Sequence, residues 1–288
     1  MQTSLFKTPL ELPNVATVPI YSPFRYPGGK SRWYPFVRDW LARVQKRVLV
    51  EPFAGGAHAG LAAAVEGMVD QVILVELDEN VAAVWKTIMT EPEWLAEQIA
   101  TLDLDRETAE AVIERKVLST RDRALAMIVH NRVSRGGVTA PGAGWLKKGE
   151  NGKGLQSRWY PDTLVKRIEK VAAARERITV ICGDGLEVMQ QHIDREDVAL
   201  FIDPPYPKAG GRLYKHSAVD HERIFDLAVQ AEGSVLLTYD DSEEVVELTE
   251  ARPRLDSAPL LVSTTHHREK YEYLISDDLG WMLPRKQG

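Results

Sequence analysis

The sequence predicts an α/β fold with a mostly parallel, doubly wound sheet, and two features support this prediction. Short apolar runs rich in β-branched residues alternate with helical patterns along the 288 residues, as they do in doubly wound folds. Three of these runs end in an acidic residue, at Glu51, Glu76 and Asp203. Because ligands bind at the carboxyl ends of strands in open α/β sheets, we expect a functional site there.

Composition limits the possible classes of protein. With 44% hydrophobic residues, the chain can form one large domain, or a core domain with an insertion. A single cysteine, Cys182, excludes an internal disulfide and fits a reducing compartment, so we expect a cytoplasmic protein. No apolar run approaches the ~20 residues needed to cross a bilayer, so we expect no membrane partner. The net charge of −6 argues mildly against a nucleic-acid partner, so the distribution of charge must decide.

The first informative stretch is residues 24–30, FRYPGGK, which follows a proline-interrupted arm at residues 1–23. A helical pattern over residues 33–44 comes directly after it. Exposed glycine N–H groups and a helix N-terminus favour anions, so this loop can hold a carboxylate or phosphate with Lys30 as counter-charge. The spacing of a Walker loop is absent, and an ordinary turn remains the alternative interpretation.

A strand over residues 47–50 runs into the glycine-rich segment 51–60, and a helix pattern follows from residue 61. The next strand, residues 71–75, ends at Glu76 with Asp78 close behind. An acid at this position commonly accepts hydrogen bonds from ribose hydroxyls. The loop lacks GxGxxG spacing, which disfavours NAD. The alternative is a Rossmann-like crossover without a bound nucleoside.

Residues 84–176 have a different character, with helix patterns over residues 106–118 and 121–133 followed by a glycine-rich span. Between residues 130 and 160 there are six Lys or Arg against one acid, interleaved with Trp145, Trp159 and Tyr160. Such a loop suits phosphate contacts and base stacking, although a solvated surface loop has the same composition. The candidate DNA-binding cations here are Arg132, Arg135, Lys147, Lys148, Lys153 and Arg158.

The later part of the chain resumes the sheet pattern. After a helix over residues 161–177 and a strand over residues 178–181, Asp184 can accept from an adenine amine or cap the next helix. A second basic, glycine-rich loop spans residues 208–216, and two strands, residues 260–265 and 271–275, predict an edge hairpin. His266 and His267 lack partners at metal-ligand spacing, so we predict no metal site. The second loop adds Lys208, Arg212, Tyr214 and Lys215 as candidate DNA contacts.

The most specific stretch is Asp203-Pro204-Pro205-Tyr206, at the end of the apolar strand over residues 198–202. Neither proline has an N–H to donate, so the Asp203 carboxylate and the Pro204 carbonyl form two acceptors for one amine. Tyr206 can place its ring against a planar group. This arrangement favours methylation of an exocyclic amine on a flipped base. A strand-ending turn with an N-capping Asp is the alternative.

Four motifs in this order, at residues 24–30, 51–56, 75–78 and 203–206, resemble those of Dam-type DNA adenine methyltransferases. These enzymes form the alpha group of the amino-methyltransferases. The resemblance implies a class I methyltransferase fold, with a mostly parallel sheet and a terminal antiparallel hairpin, that uses S-adenosylmethionine. It further implies an N-terminal arm at 1–23, a catalytic domain at 24–83 and 177–288, and a mainly helical target-recognition insertion at 84–176.

The resemblance also assigns roles to single residues. Asp203 matches the residue that touches the cofactor and binds the target amine, and Tyr206 matches the residue that stacks on the base. Many relatives have Trp at the position of Tyr26, and the best-known ones have Asp at the position of Glu76, which holds the ribose. The predicted catalytic residues are Asp203, Pro204, Pro205 and Tyr206. The predicted cofactor-binding residues are Tyr26, Lys30, Glu51, Phe53, Gly55, Glu76, Asp184 and Asp203.

These motifs predict a monomeric enzyme that methylates adenine at specific sites in double-stranded DNA. A cognate restriction endonuclease is a candidate partner. Two alternatives stay open, namely an amino-methyltransferase that acts on RNA or on glutamine in a protein, and a catalytically silent DNA-binding protein on the same scaffold. An NAD-dependent dehydrogenase is a distant third.

Overall fold

The fold is seen in a computed structural model that describes residues 9–25, 29–115, 119–140, 142–147, 152–207, 218–265 and 268–282. A single sheet of eight strands organises these residues. The predicted α/β fold is therefore confirmed. In chain order the strands are β1 (Leu10–Glu11), β2 (Val48–Glu51), β3 (Gln71–Glu76), β4 (Ile178–Cys182), β5 (Val198–Ile202), β6 (Ser234–Asp240), β7 (Asp256–Thr265) and β8 (Arg268–Ser276).

Helices cover both faces of the sheet, and the two predicted over residues 33–44 and 121–133 begin and end within one residue of the prediction. The helix predicted over 106–118 ends at Ile113, and the one predicted over 161–177 ends at Ala172 before a separate turn of 3-10 helix. The α-helices are α1 (Tyr34–Val44), α2 (His58–Glu66), α3 (Glu79–Thr90), α4 (Pro92–Thr101), α5 (Arg106–Ile113), α6 (Thr120–Val133), α7 (Pro161–Ala172), α8 (Gly185–Gln191), α9 (His221–Gln230) and α10 (Glu243–Glu250).

The strand order is β1-β7-β8-β6-β5-β2-β3-β4, and the pairs from β6 through β4 are parallel. The order reverses between β2 and β5, which is the point where doubly wound sheets bind ligands. Because these strands are adjacent and parallel, Glu51, Glu76 and Asp203 come to the same edge of the sheet. This topology brings the predicted site residues together.

The far end of the sheet differs from the predicted edge hairpin. Strand β8 is antiparallel to β7 as predicted, but it also pairs with β6 and is therefore an interior strand. The N-terminal arm supplies β1, which pairs parallel with β7 and covers its outer edge. The edge prediction was wrong because it considered the hairpin without the arm, which lies more than 200 residues away in sequence.

The helices of residues 84–176 share a hydrophobic core with the sheet. Trp85 of α3, Val129 of α6 and Leu164 of α7 pack in the same buried cluster as Leu49 of β2 and Leu74 of β3. The opposite face of the sheet packs on α8, α9 and α10. The proposed domain boundaries therefore stay a prediction. In the part of the chain that the structure describes, no helix has both the length and the apolar character needed to cross a membrane.

Candidate active site

A cavity of about 260 Å³ opens at the carboxyl ends of β2, β3 and β5. The glycine loop after β2 forms one wall, and the turn after β5 forms another. The carboxylates that line it include Glu51, Glu76 and Asp203, one from each of these strand ends. The sequence therefore places acidic groups of three separate strands in one enclosed space.

Glu76 fixes the glycine loop. Its Oε2 accepts a hydrogen bond from the Gly55 N–H at 2.8 Å, and its Oε1 accepts one from the Asp78 N–H at 2.7 Å. Gly55 has a φ of +46°, which costs least at glycine. Burial raises the pKa of Glu76 to about 7, although the N–H donors oppose this shift. Each carboxylate oxygen can accept more than one hydrogen bond, so Glu76 can also receive a ribose hydroxyl.

Glu51 is more deeply buried, with 3% of the residue exposed. Its Oε2 accepts from the Gly60 N–H at 2.8 Å. A Cβ at position 60 would lie 2.5 Å from this oxygen, which is why α2 carries a glycine there. Burial raises the pKa of Glu51 to about 8. The group therefore holds a proton over much of the neutral range.

Asp203 is held by two donors on one oxygen. Its Oδ1 accepts from Thr238 Oγ1 at 2.7 Å and lies 2.9 Å from Lys30 Nζ. Burial acts to lower the pKa of Lys30, but the nearby Asp203 and Glu272 carboxylates outweigh it and raise the pKa. Lys30 is therefore a buried ammonium paired with the acceptor that the sequence assigns to the target amine.

Tyr206 is bonded at its hydroxyl and stacked at its ring. The hydroxyl accepts from Lys30 Nζ at 2.8 Å and donates to Glu272 Oε2 at 3.0 Å. The ring stacks on Tyr239, with centroids 5.9 Å apart and planes at 23°. The Tyr239 hydroxyl lies 3.0 Å from His221 Nδ1. These contacts fix the ring of Tyr206 at the wall of the cavity.

The cavity collects most of the predicted site residues. Asp184 lines it and also caps α8 by accepting from the Leu186 N–H at 2.8 Å, so both interpretations of Asp184 fit. Lys30 lies there too, although its ammonium contacts Asp203 and Tyr206 in addition to facing the cavity. Tyr26 lies outside the described residues. The predicted residues that line the cavity are Lys30, Glu51, Phe53, Gly55, Glu76, Asp184, Asp203, Pro204, Pro205 and Tyr206.

The predicted DNA-binding cations fall into three groups. Arg135, Lys147 and Lys153 are exposed, and Arg158 is half-buried. Arg132 requires a correction because it is only 5% exposed and donates to the Pro23 carbonyl from inside the protein. A guanidinium in that position cannot reach a phosphate or a base without unfolding its surroundings. The remaining candidates, Lys148, Lys208, Arg212, Tyr214 and Lys215, lie outside the described residues.

Backbone contacts join residues 134–135 to residues 144–145 in the first part of the basic span. Ser134 and Trp145 form an antiparallel bridge, and the Arg135 N–H donates to the Gly144 carbonyl at 3.0 Å. The Arg135 guanidinium also donates to the Trp145 carbonyl at 3.2 Å. These bonds close the segment into a short hairpin-like loop on the surface.

Sequence reasoning missed three residues of the site. Glu272 and Thr238 complete the Asp203 cluster, and His58 lines the cavity at the start of α2. Burial lowers the pKa of His58 to about 4, so its ring is neutral. The sequence offers one signal for Glu272. It is a charged residue in a predicted strand whose last residues, Leu274 and Ile275, are apolar.

Comparisons with known proteins place this site in a family. A search of curated proteins found no match. Among solved structures, similar chains include a putative RNA methyltransferase from Pyrococcus horikoshii, with 11% identity over 91% of this chain and 92% of that chain and a TM-score of 0.40. Another is precorrin-6y C5,15-methyltransferase from Geobacter metallireducens GS-15, with 12% identity, coverage of 86% and 88% and a TM-score of 0.39. Because these TM-scores are low, we assign the fold from the strand order of the sheet and not from these similarities.

The family assignment comes from a sequence model that spans most of the chain. The model of the D12 class N6 adenine-specific DNA methyltransferases matches residues 26–256. This range contains the glycine loop, Glu76 and the Asp203-Pro204-Pro205-Tyr206 turn, all of which line the cavity. The chain therefore belongs to the D12 class N6 adenine-specific DNA methyltransferases.

Proposed function

We propose that this protein transfers a methyl group from S-adenosylmethionine to the N6 amine of an adenine flipped out of double-stranded DNA, at a specific sequence. The observation that carries the proposal is the position of Asp203. Its carboxylate lies in the same cavity as Glu51 and Glu76, beside the ring of Tyr206. An acceptor for an amine, a stacking surface and a nucleoside-binding acid thus share one enclosed space.

The residues present suit S-adenosylmethionine. Glu76 can accept from the ribose hydroxyls, Asp184 can accept from the adenine amine, and Glu51 can pair with the ammonium of the amino-acid part. When bound, this cofactor supplies a methyl group on a positively charged sulfur. The lining is acidic, and a ligand with positive charge on both its ammonium and its sulfonium favours the ionised form of Glu51 and Glu76, which burial alone disfavours.

Asp203 and the Pro204 carbonyl act on the target amine. The lone pair of this amine is delocalised into the purine, so the nitrogen is a poor nucleophile while it stays planar. Two acceptors that hold its hydrogens favour a more tetrahedral nitrogen with a localised lone pair. Asp203 is also the nearest base for the proton that the nitrogen must lose.

Tyr206 and the basic surface act on the DNA. Flipping an adenine costs a few kcal/mol or so of stacking and pairing, and the ring of Tyr206 can offset part of this cost. The exposed cations Arg135, Lys147 and Lys153 can hold the phosphates of the flanking duplex. A cognate restriction endonuclease would be blocked by methylation of the same sequence.

The test is to express the wild type and Asp203→Ala in cells without adenine methylation, and to sequence their DNA by a method that detects methyladenine. We expect one short sequence to be methylated by the wild type and none by the variant. Lys30 keeps Tyr206 and Glu272 as partners in the variant, so it should fold. Unmethylated DNA from cells with folded wild-type protein would instead support the catalytically silent alternative.

A further inference from the structure

The hydrogen bonds of Asp203 distinguish its two oxygens. Thr238 and Lys30 both approach Oδ1. Among the described residues, no hydrogen bond is donated to Oδ2. The Asp203 side chain is 21% exposed and lines the cavity. One oxygen is held by the protein, and the other is available as an acceptor.

Glu272 holds Lys30, one of the two donors to Asp203, and it also holds Tyr206. Its Oε2 accepts from the Tyr206 hydroxyl at 3.0 Å and lies 3.7 Å from Lys30 Nζ. Only 5% of the residue is exposed. Its Oε1 lies 3.5 Å from Nζ of Lys270, whose side chain is mostly in solvent. Glu272 therefore fixes Lys30 both directly and through Tyr206.

The topology explains why a residue so late in the chain reaches the site. Strand β8 runs antiparallel to β6, so the start of β8 lies at the carboxyl edge of the parallel strands. Glu272 is in register with Asp240, two residues beyond Thr238 on β6. It also lies beyond residue 256, where the family match ends.

We propose that Glu272 is a positioning residue for the target amine. Glu272 holds Lys30 and Tyr206, and Thr238 donates to Oδ1 of Asp203, so that Oδ1 is fixed and Oδ2 receives the amine. This inference rests on the proposed function. It goes further because it assigns the target amine to Oδ2 of Asp203 and a positioning role to Glu272 on the terminal hairpin.

The charge of the cluster favours the reaction. One ammonium, Lys30, lies between two carboxylates, Asp203 and Glu272, so the buried cluster has one excess negative charge. During transfer the amine nitrogen bonds to the methyl carbon, and the carbon–sulfur bond breaks with its electron pair on sulfur. The nitrogen is positive until it gives a proton to Asp203 Oδ2, from which the proton passes to water. A negative cluster stabilises the nitrogen during this interval.

The first test compares Glu272→Gln with a matched control, Glu269→Gln, on the same strand. Gln keeps the shape and an acceptor for Tyr206 but removes the charge, whereas Glu269 is exposed and bonded to Tyr271. We expect the single-turnover methylation rate of Glu272→Gln to fall about 10- to 100-fold. Cofactor affinity by calorimetry should stay within about twofold of wild type, and Glu269→Gln should match wild type in both.

Two outcomes would overturn the inference. One is a wild-type single-turnover rate in Glu272→Gln. The other is a loss of cofactor affinity as large as the loss of rate, because Glu272 would then act on the cofactor. A wild type that methylates no adenine in DNA would instead refute the proposed function, so the two failures are distinguishable.

A second pair of variants covers the case in which Glu272→Gln does not fold. Thr238→Val removes the other donor to Oδ1 with little change of shape, and Thr238→Ser restores the hydroxyl. We expect the Val variant to lose about tenfold in rate or more, and the Ser variant to recover most of it. Equal rates in the wild type and the Val variant would contradict the positioning role.

Discussion

Two carboxylates of the cavity, Glu51 and Glu76, carry protons that they would not carry in water. Burial raises the pKa of Glu51 to about 8 and that of Glu76 to about 7, from an ordinary value of 4.5. Between pH 4.5 and those values the folded protein binds more protons than the unfolded chain. The free energy of unfolding must therefore fall as pH rises through this window.

Glu51→Gln should reduce this pH dependence. Gln does not titrate, so the variant should lose less stability than the wild type between pH 5 and pH 8. Each unit of pKa shift corresponds to about 1.4 kcal/mol at most. Urea unfolding at several pH values measures the difference, with Glu97→Gln on the exposed side of α4 as a control. Equal pH slopes for wild type and Glu51→Gln would show that this carboxyl is ionised in the folded protein.

Variants of Lys30 and of Glu76 should differ in what they lose, turnover in one case and cofactor affinity in the other. Glu76→Gln weakens an acceptor for the ribose, so we expect about 10- to 100-fold weaker cofactor binding in calorimetry. Lys30→Met removes the cation between Asp203 and Glu272, so we expect mainly a loss of turnover. If Lys30→Met instead weakens cofactor binding as much as Glu76→Gln does, Lys30 holds the cofactor carboxylate as the sequence alone suggested.

Among single residues of the site, the sequence predicted those that belong to short motifs. Glu76 ends its strand, and Asp203 and Tyr206 lie in the turn that follows theirs, so local pattern was sufficient to find them. Thr238 and Glu272 could not be found this way, because their contacts depend on the register between β6 and β8. That register is set by long-range pairing, which no local pattern encodes.

Helix α6 and the loop after it hold the segment that leads into the site. The Asn131 side chain accepts from the Arg25 N–H at 2.8 Å and donates to the carbonyls of Arg25 and Gly137 at 3.0 and 2.8 Å. Gly137 lies so close that a Cβ there would be 1.9 Å from the Arg25 carbonyl oxygen. Helix α6 and the segment after it thus pack directly against Arg25.

Asn131→Ala should loosen this attachment. It removes three hydrogen bonds and leaves backbone groups of Arg25 and Gly137 without their partner, so we expect about 1–3 kcal/mol of lost stability or more. Chemical unfolding measures this loss, and Glu97→Ala on α4 should stay within about 0.5 kcal/mol of wild type. A change of similar size in both variants would mean that the Asn131 bonds contribute nothing specific.

Helix α6 also shows why the prediction of Arg132 as a DNA contact was wrong. Arg132 follows Leu125 and Val129 at spacings that place all three on one side of α6, and Val129 is fully buried. Burial lowers the pKa of Arg132 to about 9. Counting charges over residues 130–160 ignored this helical periodicity. Beside it, Arg167 donates to the Ser22 carbonyl at 3.1 Å, so both arginines hold the N-terminal segment.

For the whole molecule, the question is how a chain with a net charge of −6 binds DNA. The exposed cations Lys147 and Lys153 lie in the glycine-rich span that precedes α7. If they contact phosphates, Lys147→Gln with Lys153→Gln should flatten the slope of log affinity against log salt by about 0.9 per lost contact. Cognate and non-cognate duplexes should be affected alike, since phosphate contacts do not read sequence.

A matched double variant makes this test specific. Arg43 and Lys46 precede β2 and so lie toward the amino edge of the sheet, opposite the cavity. Arg43→Gln with Lys46→Gln changes the net charge by the same amount and should leave the slope unchanged. If both pairs flatten the slope equally, net charge rather than the loop governs binding.

The sheet shows which strands of the whole fold can be predicted from sequence patterns and which cannot. The parallel strands from β2 to β5 were predicted with ends within a residue or two, because each is a short apolar run with clear stops. Strand β1 and the interior position of β8 were not predicted. Strand β1 depends on pairing between the two ends of the chain, Leu10 with Leu260, and β8 is interior because it pairs with β6.

The central claim is that this cavity methylates adenine N6 in duplex DNA, and the mass of the product tests it most directly. Purified protein is incubated with duplex DNA and S-adenosylmethionine that carries a deuterated methyl group, and the DNA is digested to nucleosides for mass spectrometry. The account predicts trideuterated N6-methyldeoxyadenosine with the wild type and none with Asp203→Ala. Label in cytosine, label only in RNA or protein added alongside, or an unlabelled duplex would contradict it.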